Sequence, residues 1–120
     1  MNTKFSKTIF CDIDGTLIKH SSPIESSKPN FKAEILPGVL EKLKDWSLKN
    51  YKLILTTGRR ESQRQVTEKQ LSELGITYDI LIMGIGRGSR VVINDRKPDG
   101  TLTAESYCLD RDCGLESLDI

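Results

Sequence analysis

The sequence predicts a single α/β domain built on a parallel sheet, and two observations lead to this prediction. Short apolar runs that end in polar residues alternate with amphipathic stretches of helical spacing. The chain has 120 residues, with 37% hydrophobic and 29% charged residues, which suits one small domain. Because right-handed crossovers join such strands, their carboxyl ends meet at one edge of the sheet, where ligands bind.

Each element is predicted from its pattern: a strand from a short apolar run bounded by turn residues, and a helix from apolar residues every three or four positions. In chain order the predictions are a strand at 8–11, a helix opening after Pro37 and Gly38, a strand at 51–55, a helix at about 61–74, strands at 78–83 and 91–93, and a fifth strand near 106–109. A loop rich in serine and proline, with room for a hairpin, fills 19–37, and an acidic tail covers 110–120.

Charge and cysteine usage exclude several classes of protein. The 18 basic and 17 acidic residues give a net charge of +1, which argues against nucleic-acid binding through phosphate contacts alone. Three cysteines, Cys11, Cys108 and Cys113, lack the spacing of a disulfide framework or a zinc site. No apolar run approaches the roughly 18 residues of a membrane span, and no leader is expected at the start. We therefore expect a reduced, cytoplasmic protein with no membrane partner.

Carboxylates cluster at the predicted carboxyl edge. Asp12 and Asp14 directly follow the first strand, and Asp95 follows the fourth. Like charges in a confined site repel, so a cation shared between them would justify their placement. Mg²⁺ suits such a site because it takes few protein ligands and leaves positions for water and phosphate oxygens. With a hydroxyl from Thr57 and a basic side chain, the cluster has what phosphoryl transfer needs.

Three segments in this order resemble the motifs of the haloacid dehalogenase superfamily of phosphatases. Residues 11–17, Cys-Asp-Ile-Asp-Gly-Thr-Leu, resemble its DxDGT signature, and residues 53–59, which end in Thr-Thr-Gly-Arg, resemble its second motif. Residues 91–99 resemble its acidic fourth motif, with two aspartates four positions apart. The resemblance covers residues 7–99. It implies a Rossmannoid, three-layer-like sheet and one catalytic domain over residues 1–120.

The resemblance also implies roles for particular residues. Asp12 would be the nucleophile that forms an aspartyl-phosphate, and Asp14 the general acid and base. The magnesium ligands would be Asp12, Asp14, Asp95 and Asp99. Thr57 and Gly58 would bind the phosphoryl group.

The third motif departs from the family pattern, which expects a Lys or Arg near the start of a helix. Only about seven residues from Gly84 separate the third and fourth strands, which leaves no room for that helix. Arg87 is the first candidate for the phosphate-binding cation, Lys97 the second and Arg90 the third. So short a connection cannot cover the sheet it crosses. We therefore predict one incompletely covered face and a homo-oligomer that covers it.

The function expected from these features is a magnesium-dependent phosphatase. The loop at 18–37 is too short for a cap domain, so the chain resembles the capless members of the family. Its substrate would be a small phosphorylated metabolite, a sugar or sugar-acid phosphate. Two alternatives remain: a catalytically weak binding or regulatory domain, and a phosphotransferase or mutase. We interpret Arg59 and Arg60 as surface charges or as residues at the substrate entrance, and His20 as a loop residue near the site.

Overall fold

The computed structural model describes residues 5–26 and 28–120 and contains a three-stranded parallel sheet in the order β1-β2-β3. Strand β1 spans Thr8–Asp12, β2 spans Lys52–Thr56 and β3 spans Ile80–Ile82. The register pairs Asp12 with Thr56, and Thr56 with Ile82, so the three strands end side by side. The predicted α/β class and parallel sheet are confirmed.

The helices lie in the crossovers between these strands. The short helix α1 spans Pro23–Ser26 in the loop after β1, and α2 spans Val39–Leu48. A 3₁₀ turn at Glu61–Gln63 leads into α3, Arg64–Glu73. The loop that contains α1 closes like a hairpin, because Ile18 forms an antiparallel bridge with Ile35.

Among the described residues, both long helices lie on one face of the sheet and none lies on the other. Both crossovers advance in the same direction, and right-handed crossovers then place α2 and α3 on the same side. On that side Cys11, Leu55 and Leu81 are paired across the strands and are all buried. On the opposite side Phe10 is 64% exposed and Ile80 is 44% exposed on the two edge strands, whereas Ile54 between them is buried. The predicted incompletely covered face is confirmed.

The segment after residue 109, predicted as an acidic tail, packs onto the helix side of the core. Leu115 and Leu118 are buried, and the backbone N–H of Leu115 donates to the Pro37 carbonyl at 3.0 Å. The indole Nε1 of Trp46 donates to the Ile120 carbonyl at 3.0 Å. The apolar residues between the acidic ones thus complete the core beside α2.

The predicted fourth strand at 91–93 does not form, and neither does the fifth near 106–109. The reason lies in the link 84–90, which is tied to the loop after β2: Gly84 donates to the Arg59 carbonyl at 2.7 Å, and Ile85 to that of Thr57 at 3.3 Å. Residue 91 therefore starts near the carboxyl edge of the sheet, whereas a strand parallel to β1 must start at the opposite edge. Residues 91–107, which we call the arm, are exposed throughout.

Within the described residues, none of the helices combines the length and the apolar character that crossing a bilayer requires.

Candidate active site

The carboxyl edge of the sheet brings Asp12 and Asp14 together in a tight turn. Asp12 ends β1, and the turn that follows is closed by the Gly15 N–H, which donates to the Ile18 carbonyl at 2.7 Å. Gly15 adopts a φ of 88°, in the left-handed region that favours glycine. Ile13, between the two aspartates, is fully buried. Burial of Ile13 anchors the turn, so both aspartates are held at the rim.

The surroundings of Asp12 act on its carboxyl group in opposite directions. Burial raises the pKa of Asp12 most, and the nearby charge of Asp14 raises it further. A backbone hydrogen bond from Ile13, a hydroxyl hydrogen bond from Thr16 and the charge of Arg90 lower it. The Thr16 hydroxyl donates to Asp12 Oδ2 at 3.4 Å. The net effect is a raised pKa, because burial outweighs the contributions that lower it.

Asp14 is held by Arg59 in a bidentate ion pair. The guanidinium Nε donates to Asp14 Oδ2 at 3.0 Å, and Nη2 donates to Oδ1 at 2.8 Å. The side chain of Arg59 is 4% exposed and that of Asp14 is 20% exposed. Two parallel charge-assisted bonds fix both the position and the orientation of a carboxylate. The sequence interpretation of Arg59 as a surface or entrance residue was wrong, because this side chain is buried beneath the site.

The remaining side of the Arg59 guanidinium is satisfied by α3. Its Nη1 donates to Thr67 Oγ1 at 3.0 Å and to Gln70 Oε1 at 2.7 Å. Gln70 in turn donates through Nε2 to the Ser26 carbonyl at the end of α1. A buried charge is tolerated when it is both paired and fully hydrogen-bonded, and this network meets that condition. Asp14 is thereby linked to α3 and to the loop that contains α1.

Thr57 and Gly58 form the turn after β2. Thr57 is buried, and its Oγ1 accepts a hydrogen bond from the Arg59 backbone N–H at 3.1 Å. A Cβ at Gly58 would lie 2.7 Å from the Gly86 carbonyl oxygen, so any larger residue would push the link 84–90 away. The glycine therefore serves this close approach, and the hydroxyl of Thr57 caps the turn. Their role in phosphate binding stays a prediction.

Of the three candidate cations, Arg90 is the one that the structure brings to the rim. Its charge acts on Asp12, and its Nη2 lies 3.9 Å from the position of a Cβ on Gly58. No contact to the rim is found for Arg87 or Lys97 within the described chain, and Lys97 lies on the arm. This placement favours Arg90, the third candidate from the sequence, while the role of Arg87 and Lys97 in phosphate binding stays a prediction.

Asp95 and Asp99 lie on the exposed arm. In residues 5–26 and 28–120, no three His, Cys, Asp or Glu side chains are close enough to share one metal ion. The structure therefore does not bring these two aspartates to Asp12, because the strand that was to carry Asp95 does not form. Their role as magnesium ligands stays a prediction and requires the arm to move.

The sequence reading also missed a residue from the segment after 109. The side chain of Arg111 lies against Gly15, with its Cγ 3.2 Å from the position of a Cβ there. His20 is exposed, and its backbone N–H donates to Asp112 Oδ1 at 2.7 Å. The local sequence pattern around Arg111 does not predict that this segment contacts the turn at Gly15. The available signal was an arginine set between aspartates and followed by Gly114.

Comparisons with known proteins agree with this architecture. No protein-family model and no curated protein sequence matches the chain. The solved structures that match include a chain of the Pnkp1/Rnl/Hen1 complex, with 30% identity and a TM-score of 0.54. They also include a chain of the Pnkp1/Rnl/Hen1 RNA repair complex, with 33% identity and a TM-score of 0.57. The matches cover 75% and 68% of this chain but only 32% and 27% of those chains.

A more distant solved structure is the D,D-heptose 1.7-bisphosphate phosphatase from B. bronchiseptica, complexed with magnesium and phosphate. It has 20% identity and a TM-score of 0.45, over 64% of this chain and 49% of its own length, and we infer nothing from it. The chain thus resembles the haloacid dehalogenase superfamily of phosphatases.

Proposed function

We propose that the protein is a magnesium-dependent phosphatase that hydrolyses a phosphate monoester through an aspartyl-phosphate on Asp12. The observation that carries the proposal is the rim itself. Within residues 5–26 and 28–120, Asp12 forms no ion pair and lies near a cation, Arg90. A second carboxylate, Asp14, is held by Arg59 two residues away. A nucleophile beside a positioned acid, with a cation for the phosphoryl oxygens, is the minimum that this chemistry needs.

In the first step an oxygen of Asp12 attacks phosphorus, and the bond from phosphorus to the leaving oxygen breaks. Asp14 gives that oxygen its proton, so the product leaves as an alcohol. In the second step Asp14 takes a proton from water, which attacks the aspartyl-phosphate, releases phosphate and restores Asp12. Both oxygens of Asp14 accept bonds from Arg59, so Asp14 must give up one of these bonds when it acts.

The proposed magnesium ligands at the rim are the Asp12 carboxylate and the main-chain carbonyl of Asp14. That carbonyl accepts no backbone hydrogen bond within the described residues, and oxygen donors suit Mg²⁺. When bound, the ion would neutralise charge on the phosphoryl group. Arg90 and the backbone N–H of Gly58 would bind the same oxygens from the protein side, with the Thr57 hydroxyl behind them.

The substrate class that we propose is a small sugar or sugar-acid phosphate. Two depressions of about 250 and 210 Å³ lie against α2 and on the arm rather than at the rim, so neither of them is the proposed substrate site. A second candidate is a phosphate at a nucleic-acid end, which the similarity to chains of an RNA repair complex favours. The net charge of +1 argues against it.

The alternative function is that of a binding or regulatory domain without catalysis. It is supported by the arm, which keeps Asp95 and Asp99 away from the rim. The intact pair of Asp12 and Asp14 argues against it, because binding alone does not need a nucleophile beside a positioned acid.

Hydrolysis of p-nitrophenyl phosphate tests the proposal. We expect magnesium-dependent turnover that falls by about 10³-fold or more in Asp12→Asn and by about 10²- to 10⁴-fold in Asp14→Asn. Asp45→Asn is the matched control, because Asp45 pairs with Lys49 on α2 and is remote from the rim. Undiminished activity in either rim variant would refute the assigned roles. Faster turnover of a 3′-phosphorylated oligonucleotide than of any sugar phosphate would favour the second substrate class.

We further propose that a second copy of the chain covers the exposed apolar surfaces. The bare sheet face exposes Phe10 and Ile80, and the arm exposes Val91, Val92 and Ile93 by 65–90%. Apolar surface of this kind on both regions favours association between copies. Sedimentation should give a mass above that of one chain, and Val92→Asp should lower it. A wild-type monomer at working concentrations would contradict the proposal.

A further inference from the structure

The segment after residue 109 returns to the turn that carries Asp14, and Arg111 lies directly on it. The Cγ, Nε and Cδ of Arg111 lie 3.2, 3.7 and 3.8 Å from the position of a Cβ on Gly15. A Cβ at Gly15 would press on this stem more closely than ordinary van der Waals contact, and the φ of 88° also favours glycine. The guanidinium of Arg111 is therefore positioned at the edge of the rim, on the side of Gly15.

The backbone that directly follows Arg111 is held at Asp112 and at Leu115. The N–H of Asp112 donates to the Gly15 carbonyl at 2.8 Å, and its carboxylate accepts a bond from the backbone of His20. Asp112 adopts a φ of 63°, a conformation that a non-glycine residue keeps only when its surroundings impose it. Leu115, three residues on, is buried in the core. The backbone that carries Arg111 is therefore held in place by hydrogen bonds and by a buried leucine.

The charge of Arg111 is available to a ligand. Within residues 5–26 and 28–120 its guanidinium has no hydrogen bond and no ion pair, although Asp14 precedes the glycine on which it lies. The reason is that both oxygens of Asp14 are taken by Arg59. Arg90 is already near the nucleophile, so the rim has one cation beside Asp12 and a second on the far side of the Asp14 turn.

We propose that Arg111 binds a second anionic group of the substrate, a carboxylate or a further phosphate on the part that leaves. This inference rests on the proposed phosphatase function and narrows it. A guanidinium recognises either group through paired hydrogen bonds, whereas an uncharged sugar offers it only hydroxyls. The favoured substrate is therefore a phosphate monoester whose leaving alcohol carries a carboxylate or a second phosphate.

Matched substrates test this role. We would compare 3-phosphoglycerate with glycerol 3-phosphate for the carboxylate, and glucose 1,6-bisphosphate with glucose 6-phosphate for the phosphate. In Arg111→Met, whose stem still packs on Gly15, we expect kcat/KM to fall about tenfold for the anionic member of a pair, mainly through KM, and to change less than about twofold for the other member. The pair with the larger loss identifies the anion. Arg96→Met, on the arm, is the matched control and should change neither.

Two results would overturn the inference: an equal loss on both members of each pair, or no loss on either. Binding separates this failure from failure of the phosphatase proposal. In an Asp12→Asn background, calorimetry with magnesium present should show tighter binding of 3-phosphoglycerate than of glycerol 3-phosphate, and Arg111→Met should remove the difference. If the wild type hydrolyses nothing, the proposed function fails, and this measurement still decides the role of Arg111. Equal affinities in the Asp12→Asn protein would refute that role.

Discussion

The arm differs from the rest of the chain in burial, although both regions contain apolar runs. Every buried residue lies in the body, residues 5–26, 28–83 and 109–120, and none lies between 84 and 108. Val91, Val92 and Ile93 would suit a strand as well as Ile9, Phe10 and Cys11 do. The radius of gyration, 15.2 Å, exceeds the roughly 13.5 Å of a compact domain of this length, as a projecting segment would cause.

The difference indicates that an apolar run needs more than its own pattern to form a strand. The preceding chain must also place the run beside an edge of the sheet and in the direction of the neighbouring strand. The start of the arm is constrained, because the link 84–90 that precedes it is hydrogen-bonded to the loop after β2. Paired substitutions can test the contrast between body and arm, because both regions contain aspartates and leucines.

The largest expected effect is a difference in phosphatase activity between aspartate substitutions in the body and in the arm. Asp12→Asn should lower phosphatase activity by about 10³-fold or more, since it removes the proposed nucleophile. Asp95→Asn should lower it by less than about tenfold, because the arm keeps Asp95 away from the rim. Steady-state kinetics with p-nitrophenyl phosphate at several magnesium concentrations would measure both. A loss in Asp95→Asn as large as in Asp12→Asn, with a higher magnesium requirement, would show that the arm closes on the rim.

Leucines in the two regions should differ in their effect on stability. Leu115→Ala should lower the free energy of unfolding by about 3 kcal/mol, because Leu115 is 1% exposed and its removal leaves a cavity beside α2. Leu102→Ala should change it by less than about 0.5 kcal/mol, since Leu102 is 59% exposed on the arm. Urea unfolding at low protein concentration measures both variants. Equal losses would mean that the arm is packed in solution.

The smallest expected effect is a difference in thiol reactivity between the buried cysteine of β1 and the two exposed cysteines after the arm. Cys108 and Cys113 are exposed, whereas Cys11 is buried in β1, where burial and the charge of Asp12 raise its pKa to about 12. A thiol reagent at neutral pH should therefore modify two thiols quickly and the third only after unfolding. The Cys108→Ser variant should retain one fast thiol. A slow Cys108 in the wild type would indicate that another copy covers this part of the chain.

Much of the fold follows from patterns that are local in sequence. The predicted strand at 8–11 is found at Thr8–Asp12, and the helix predicted at 61–74 is a 3₁₀ turn followed by Arg64–Glu73. The incompletely covered face was predicted from the short link after β3, but in the structure it results from two crossovers that advance in the same direction. The prediction of a fourth strand at 91–93 was wrong, because its apolar pattern carries no information about the bonds between the link 84–90 and the loop after β2.

The candidate site was predictable only in part. Asp12 and Asp14 are visible in the sequence because two carboxylates after an apolar run are unusual. Arg59 is not, since its burial depends on Thr67 and Gln70, two polar residues three apart on α3 that both face inward. Residues of this kind look like solvent-exposed positions until the helix is placed. The position of Arg111 required the return of a distant segment to Gly15.

The docking of the segment after the arm also has a consequence for how the chain folds. Trp46 and Lys42 on α2 bond to the carbonyls of Ile120 and Leu118, more than 70 residues away. The three strands and two helices are neighbours in sequence and can assemble while the chain is being made, but the outer surface of α2 stays open until the arm and the segment after it have been synthesised. Contacts of such long sequence separation form slowly. Closure of this surface should therefore be the last event in folding, and the one most exposed to competing association with other chains.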